Sequence, residues 1–242
     1  MGCWEQMHVP VPIRGVISAP FRAFGVRPSR MNPNTCTICE LMFTKVMRAR
    51  KITIDATIMF ADLRGYTSLS QSQSPDAVSG LLDAFYDECA SAIWEHEGLL
   101  NKTIGDAVMA VFNFPIKQDD HAAQALRAAR QIQGRWRERR AELVQGLDVA
   151  DDSLCIGIGI SSGNLSFGEF GQSHRDLTAI GTVVNTAARA QSVARAGHIL
   201  VTETVRNRCR DMIADDGKKY ELKGLATPIE LFEAGEPATQ LQ

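Results

Sequence analysis

From Ile52 the chain alternates, with Ile52, Ile54, Ala56, Ile58 and Phe60 on one face and Thr53, Asp55, Thr57 and Met59 on the other. That period of two predicts a strand, with Asp62 falling just past its end. Ser74, Pro75 and Asp76 then mark a helix start, because a serine side chain caps free amides and proline suits the first turn. Val78, Leu81, Leu82, Phe85, Cys89 and Ile93 follow with helical spacing, and Gly98 suits the exit. Next come two short apolar runs, 99–104 and 107–112, separated by Gly105-Asp106. They predict a β-hairpin with an acid at its tip.

Asp119 and Asp120 open a second predicted helix, with Ala122, Leu126, Ala129, Ile132 and Trp136 on one side and arginines on the other. A second hairpin is predicted from 154–160 and 165–170, with Ser161 to Asn164 as its turn. A short strand near 177–180 leads into a helix over about 183–193. Segments 198–202, 203–211, 219–223 and 228–233 continue the alternation of strand and helix. The pattern predicts an α/β chain whose mixed sheet is covered by helices.

Composition adjusts this picture at the N-terminus. Residues 1–50 carry five prolines, and seven lysines and arginines against Glu5 and Glu40, so they read as a basic leader. Residues 51–236 then form one domain and 237–242 a tail; 242 residues leave no room for a second full domain. Overall, 26 basic residues balance 28 acidic ones, which gives no general reason to expect a nucleic-acid partner. No run approaches the roughly 18–20 apolar residues that span a bilayer, and a cytoplasmic protein is expected. The six cysteines are scattered apart from Cys36 and Cys39, and are read as reduced thiols.

Three places carry chemistry. Asp62, in FADLRGYTS, lies beside strongly apolar sequence, where a cation or a basic partner would offset its desolvation; a turn cap is the plainer alternative. Asp106 sits at a hairpin tip, and two acids at neighbouring strand ends repel unless a metal lies between them. Magnesium, which takes a few carboxylates plus substrate phosphates, meets that requirement. Asn185 and Arg189, four apart, share a helix face that would suit a ribose or phosphate oxygen, against the alternative of an ordinary solvated face. The small Ala187, Ala188 and Ala190 around them leave room for a close approach. The run GIGISSG lacks the third glycine of a dinucleotide fingerprint, and no GxxxxGK[ST] loop occurs.

Five segments in order, FADLRGYTSLS, LLNKTIGDAVMAVF, CIGIGISSGNLSFGEFG, DLTAIGTVVNTAARAQS and ELKGLATPIELFE, resemble the catalytic domain of class III nucleotidyl cyclases over about residues 52–234. The resemblance implies a ferredoxin-like, mainly antiparallel sheet covered by helices, and formation of 3′,5′-cyclic AMP and pyrophosphate from ATP. It implies Asp62 and Asp106 as ligands of two Mg2+ or Mn2+ ions, with the Leu63 carbonyl as an extra ligand. Asn185 matches the asparagine that positions the ribose and Arg189 the arginine that stabilises the transition state. Lys102 and Thr178 match the two purine-reading positions, and Lys223 more weakly a triphosphate contact. A lysine donor serves adenine N1 and a threonine oxygen accepts from the 6-amino group, so adenine is expected over guanine. Threonine at that position resembles the subgroup often stimulated by bicarbonate. Asp176, two residues before Thr178, is the competing acceptor.

In the family the acids come from one subunit and the other groups from its partner, so the resemblance implies a homodimer with composite sites. The alternatives are a nucleotide-binding module without catalysis, or a cyclase acting on GTP or a pyrimidine triphosphate. In the leader, Cys36 and Cys39 have C-x2-C spacing, yet zinc needs four ligands, so a zinc site would require a pair from each of two chains; packing or inert thiols is the alternative. Residues 9–30 mix apolar side chains with arginines and would suit an anionic membrane surface, against the plainer reading of a docking arm on the catalytic domain.

Overall fold

A computed structural model describes residues 18–29, 32–33, 35–143, 154–171, 173, 175–224 and 227–235, with the side chains of 43 and 46–49 excepted. The tail 237–242 and the first part of the leader lie outside the described residues.

Strand β1 (Ile52–Leu63) is the centre of the sheet. It is followed by short helix α3 (Tyr66–Ser72) and long helix α4 (Pro75–Glu95), the two leader helices being α1 (Ala19–Ala23) and α2 (Thr37–Ala49). The Ser74 hydroxyl accepts from the Ala77 amide at 3.4 Å with Pro75 in the first turn, as the sequence predicts. Strands β2 (Leu99–Ile104) and β3 (Ala107–Phe112) form the expected hairpin, and α5 (His121–Leu143) returns the chain to β4 (Ile156–Phe170). These elements place the strands in the order β2-β3-β1-β4, all antiparallel. With α4 and α5 on one face, this is the ferredoxin-like arrangement.

The rest extends the sheet. β5 (Asp176–Ile180) pairs with the far half of β4, and α6 (Thr182–Val193) crosses the face opposite α4 and α5. β6 (Ile199–Thr202) lies parallel to β4, followed by α7 (Glu203–Arg208), a short 3-10 turn, β7 (Lys218–Tyr220) and β8 (Ile229–Glu233). The complete order is β2-β3-β1-β4-β6-β8-β7 with β5 at the side.

Each face has its own core because alternate residues of β1 point opposite ways. Met59, Ala61 and Leu63 meet Phe85, Leu126, Ile132 and Trp136 of α4 and α5. Ala56, Ile58 and Phe60 face the thinner layer that includes Ala187 of α6. The Trp136 indole N–H donates to the Leu154 carbonyl at 2.5 Å, so its one polar atom is satisfied inside the core.

Two sequence expectations are corrected. Residues 154–170 do not form a hairpin: β4 is one strand of 15 residues, paired with β1 from Ile156↔Leu63 to Phe167↔Ile52. The Ser161 to Asn164 run looked like a turn because it is polar, but Ser161 and Ser162 are buried, and Ser162 accepts from the Thr57 hydroxyl at 2.9 Å. Asp62 also does not follow the strand. It lies within β1, opposite Ala107 on one side and Gly157 on the other.

The described part of the leader docks on the domain. Buried Asn32 donates through its amide to the Gly98 carbonyl at 2.9 Å. Cys36 and Cys39 are buried with Val26, and Phe21 packs against them, while Phe24 is exposed. That burial supports the packing reading of the cysteine pair. Among the described residues, no helix is long and apolar enough to cross a membrane.

Candidate active site

The two acids meet where β1 ends beside the β2–β3 turn. Gly105 takes a positive φ of 59°, which a two-residue hairpin turn requires, and Asp106 follows it. The Leu63 amide donates to the Asp106 carbonyl at 3.0 Å, which draws the hairpin mouth to the end of β1. The Tyr86 hydroxyl of α4 donates to the Gly105 carbonyl and pins the turn from the other side. Burial, with the nearby Tyr66 and Asp106 charges, pushes the Tyr86 hydroxyl pKa up, so it remains a donor. The Leu63 side chain is itself in the core.

Asp62 feels this enclosure. Burial is the main cause that raises its pKa and the negative charge of Asp106 adds to it, while Arg64 and a hydrogen bond with Gln191 oppose. The Arg64 guanidinium lies 3.4 Å from the Asp62 carboxylate and donates to the Gln191 carbonyl of α6. Arg64 therefore ties the acid to the helix that carries Asn185 and Arg189. Gly157 makes this possible, since a Cβ there would sit 2.7 Å from Arg64 Nε. An acid whose ionisation is opposed by burial and by a second nearby carboxylate suits a divalent cation, so the donor set fits a metal of the magnesium type.

A second cluster forms between β2 and β5. Lys102 Nζ is paired with the Asp176 carboxylate. Beside it, Asn101 Nδ2 donates to the Leu177 carbonyl at 2.9 Å, and the Thr178 hydroxyl donates to Asn101 Oδ1 at 3.4 Å. Lys102 and Thr178, far apart in sequence, are thus brought to one place together with Asp176.

On α6, Asn185 and Arg189 are exposed, and the Arg189 guanidinium makes no hydrogen bond or ion pair with any described residue. The alanines nearby have a different role from the one expected. Ala187 and Ala190 are fully buried against the sheet, so their small size lets the helix sit down on β4 rather than admitting a ligand. Gly159 is the other half of that contact: a Cβ on it would lie 2.1 Å from the Gln191 amide nitrogen. Lys223 is exposed in a turn after β7, with β4, β6 and β8 between its edge of the sheet and β1. Its neighbour Leu222 is buried with Ala190, Ala194 and Leu200, which anchors that turn beside α6.

Sequence reasoning missed Arg64, Tyr86, Gln191 and Asn101. Arg64 had a signal, standing two residues after Asp62 on the same face of an extended chain. The others act on groups 19 or more positions away and leave no local pattern.

The catalytic-domain model of adenylate and guanylate cyclases matches residues 49–233. The chain is 34% identical over 187 residues to an adenylate cyclase of Anabaena cylindrica, covering 73% of this chain and 36% of that protein. It is 27% identical over 189 residues to adenylate cyclase 1 of Rhizobium meliloti (strain 1021), covering 74% of this chain and 27% of that protein. It therefore spans about a third of these relatives. The crystal structure of the adenylyl cyclase CyaB from P. aeruginosa superposes with a TM-score of 0.69 at 27% identity, over 80% of this chain and all of that one, 100%. The structure of a guanylyl cyclase reaches the same TM-score of 0.69 at 27% identity, over 78% of this chain and 96% of that one. With the paired acids at the mouth of β1, the ferredoxin-like sheet and this match in register, the chain belongs to the class III adenylate and guanylate cyclase catalytic domain family.

Proposed function

We propose that this cyclase is an adenylate cyclase, active as a homodimer whose sites draw on both chains. The observation that carries the choice of base is the meeting of Lys102 and Thr178 in one cluster. An ammonium offers only donors, which suits the N1 acceptor of adenine and opposes the N1–H of guanine. The threonine oxygen accepts from the 6-amino group. Overall likeness does not choose, since the adenylyl and guanylyl cyclase structures match equally well.

In the reaction the ribose 3′-oxygen attacks the α-phosphorus of the same nucleotide. The new P–O bond closes the ring, the bond to the β-phosphate oxygen breaks, pyrophosphate leaves with the electron pair, and the hydroxyl proton is released. Asp62 and Asp106, with the Leu63 carbonyl, would hold divalent cations, which when bound lower the pKa of the attacking hydroxyl and neutralise the leaving polyphosphate. Asn185 orients the ribose and Arg189 meets the charge that grows on the α-phosphoryl oxygens; losing one such contact costs roughly 10²–10³ in rate. Lys223 contacts the triphosphate. Arg189, exposed and unpaired among the described residues, supports the dimer, because such a charged side chain is available to a second copy.

Incubating the full chain with Mn2+ and each of the four nucleoside triphosphates, and identifying the products, tests this. Cyclic AMP is expected as the main product. A dominant cyclic GMP or cyclic pyrimidine product refutes the base assignment, and no cyclic product from any of them returns the chain to a binding module.

A further inference from the structure

We propose that Asn101 sets the hydrogen-bond polarity of Thr178 and is thereby a specificity-positioning residue for adenine. The inference rests on the base-reading role given to Lys102 and Thr178 above.

A threonine hydroxyl is ambivalent, with one proton to donate and two lone pairs to accept. Left free, it would rotate to donate to the 6-oxo group of guanine as readily as it accepts from the 6-amino group of adenine. Thr178 is not left free. The Leu177 carbonyl can only accept, so the Asn101 group 2.9 Å from it is the NH2 end of the amide. That fixes the other end, Oδ1, towards Thr178 Oγ1 at 3.4 Å. An amide oxygen carries no proton, so the hydroxyl proton points at Asn101 and the threonine lone pairs point elsewhere. The relay from Leu177 through Asn101 to Thr178 leaves an acceptor facing the base.

Lys102 is restrained beside it. Its ammonium is paired with Asp176, the competing acceptor of the sequence reading, whose carboxylate is engaged by that pair; both purine-reading groups thus enter the site with their directions set by neighbours. The resulting pattern of one donor and one acceptor is the complement of the N1 and N6 edge of adenine. A 6-oxo purine presents the reverse pattern at both atoms. Sites that leave a buried polar group mispaired discriminate far more strongly than sites that differ only in shape.

The test measures kcat/KM for ATP, GTP and inosine triphosphate with Mn2+, on the full chain and on Asn101→Ala, Thr178→Val and the double variant. Unmodified protein should reject inosine triphosphate about as strongly as GTP, because the 6-position and not the 2-amino group is read. Asn101→Ala should lower the ATP:GTP ratio by about tenfold, the effect of one net hydrogen bond. In the Thr178→Val background, where no hydroxyl remains to be oriented, the same change should leave the ratio within about twofold. A purely structural role for Asn101 would shift the ratio alike in both backgrounds or in neither, and either result overturns the proposal. Inosine triphosphate used as well as ATP by the unmodified protein overturns it without any variant. A preference for GTP overturns the adenine reading itself, which is a separate failure from a retained ATP preference that Asn101→Ala does not move.

Discussion

The His121 imidazole and the Thr57 hydroxyl lie 2.8 Å apart in the interior, joining the start of α5 to the middle of β1. Arg208 of α7 donates to His121 Nε2 at 2.7 Å, so that nitrogen accepts and Nδ1 holds the proton that goes to Thr57. Thr57 donates in turn to Ser162 at 2.9 Å. The other arm of Arg208 binds the Asp55 carboxylate at 2.8 and 3.0 Å. The network requires one neutral tautomer of His121.

This makes stability depend on pH. Burial, with the Arg208 charge, lowers the His121 pKa against the opposing pull of Asp55 and Asp120. The unfolded chain therefore binds more protons than the folded one below the ordinary histidine value of about 6.5, and stability falls as pH drops through that range towards the lowered folded value. Thermal unfolding between pH 7.5 and 5 should show the midpoint decreasing. His121→Gln should cost about 1–3 kcal/mol at pH 7, from the partners it leaves badly paired, and should flatten the slope. An equal slope in that variant would mean that other groups set the acid limit.

The same residues show what the sequence could and could not reveal. Period-two alternation at Ile52 to Phe60 and the helical series from Val78 to Ile93 located β1 and α4, because core burial is written into local spacing. Asp62 and Asp106 stood out as acids in apolar surroundings, and the structure brings their segments together through Leu63 and the Asp106 carbonyl. Ser161 and Ser162 misled, since a polar pair reads as a turn unless its buried partner is known, and Thr57 lies 105 positions from Ser162. The α6 alanines misled similarly: Ala187 is small because Gly159 of β4 lies beneath it, and helical spacing alone does not say which side of a helix meets a sheet.

Metal binding should register as stability before it is measured as catalysis. Asp62 and Asp106 repel at close quarters, and a cation that binds only the folded state raises the unfolding midpoint by mass action. Millimolar Mn2+ should raise the midpoint of the unmodified protein by a few degrees, about 1–2 kcal/mol at 10–30 times Kd. Asp62→Asn and Asp106→Asn should lose most of that shift and fall at least about 10²-fold in cyclase activity. A full manganese shift in both variants would place the ion elsewhere.

The proposed sharing of sites between two chains makes a quantitative prediction for mixtures. Asp62→Ala and Arg189→Ala should each be inactive alone. A mixed dimer of the two gathers both lesions in one site and leaves the other intact, and random exchange makes half the dimers mixed, so about a quarter of normal activity should return. The measurement is cyclic nucleotide formation after co-refolding or prolonged mixing. No recovery, with mixed dimers shown to be present, would refute sharing.

Two glycines separate the requirement for space from the cost of backbone freedom. Gly159 lies under α6, where a Cβ would approach the Gln191 amide nitrogen to 2.1 Å and the Ala187 carbonyl to 2.4 Å, both backbone atoms that a rotamer change cannot move. Gly159→Ala must therefore lift the helix that carries Asn185 and Arg189, at a cost of about 1–3 kcal/mol or more, and should impair catalysis even where the protein stays folded. Gly134, inside α5, has open space where a methyl group would stand, with nothing within 4 Å. Gly134→Ala should gain up to about 1 kcal/mol, because alanine loses less backbone entropy in a helix. Urea denaturation of both, with cyclase assays alongside, should give opposite signs of stability change and an activity loss confined to Gly159→Ala. If Gly159→Ala were neutral, the close seating of α6 on β4, and with it the link from Arg64 to the helix, would not be what holds the site in shape.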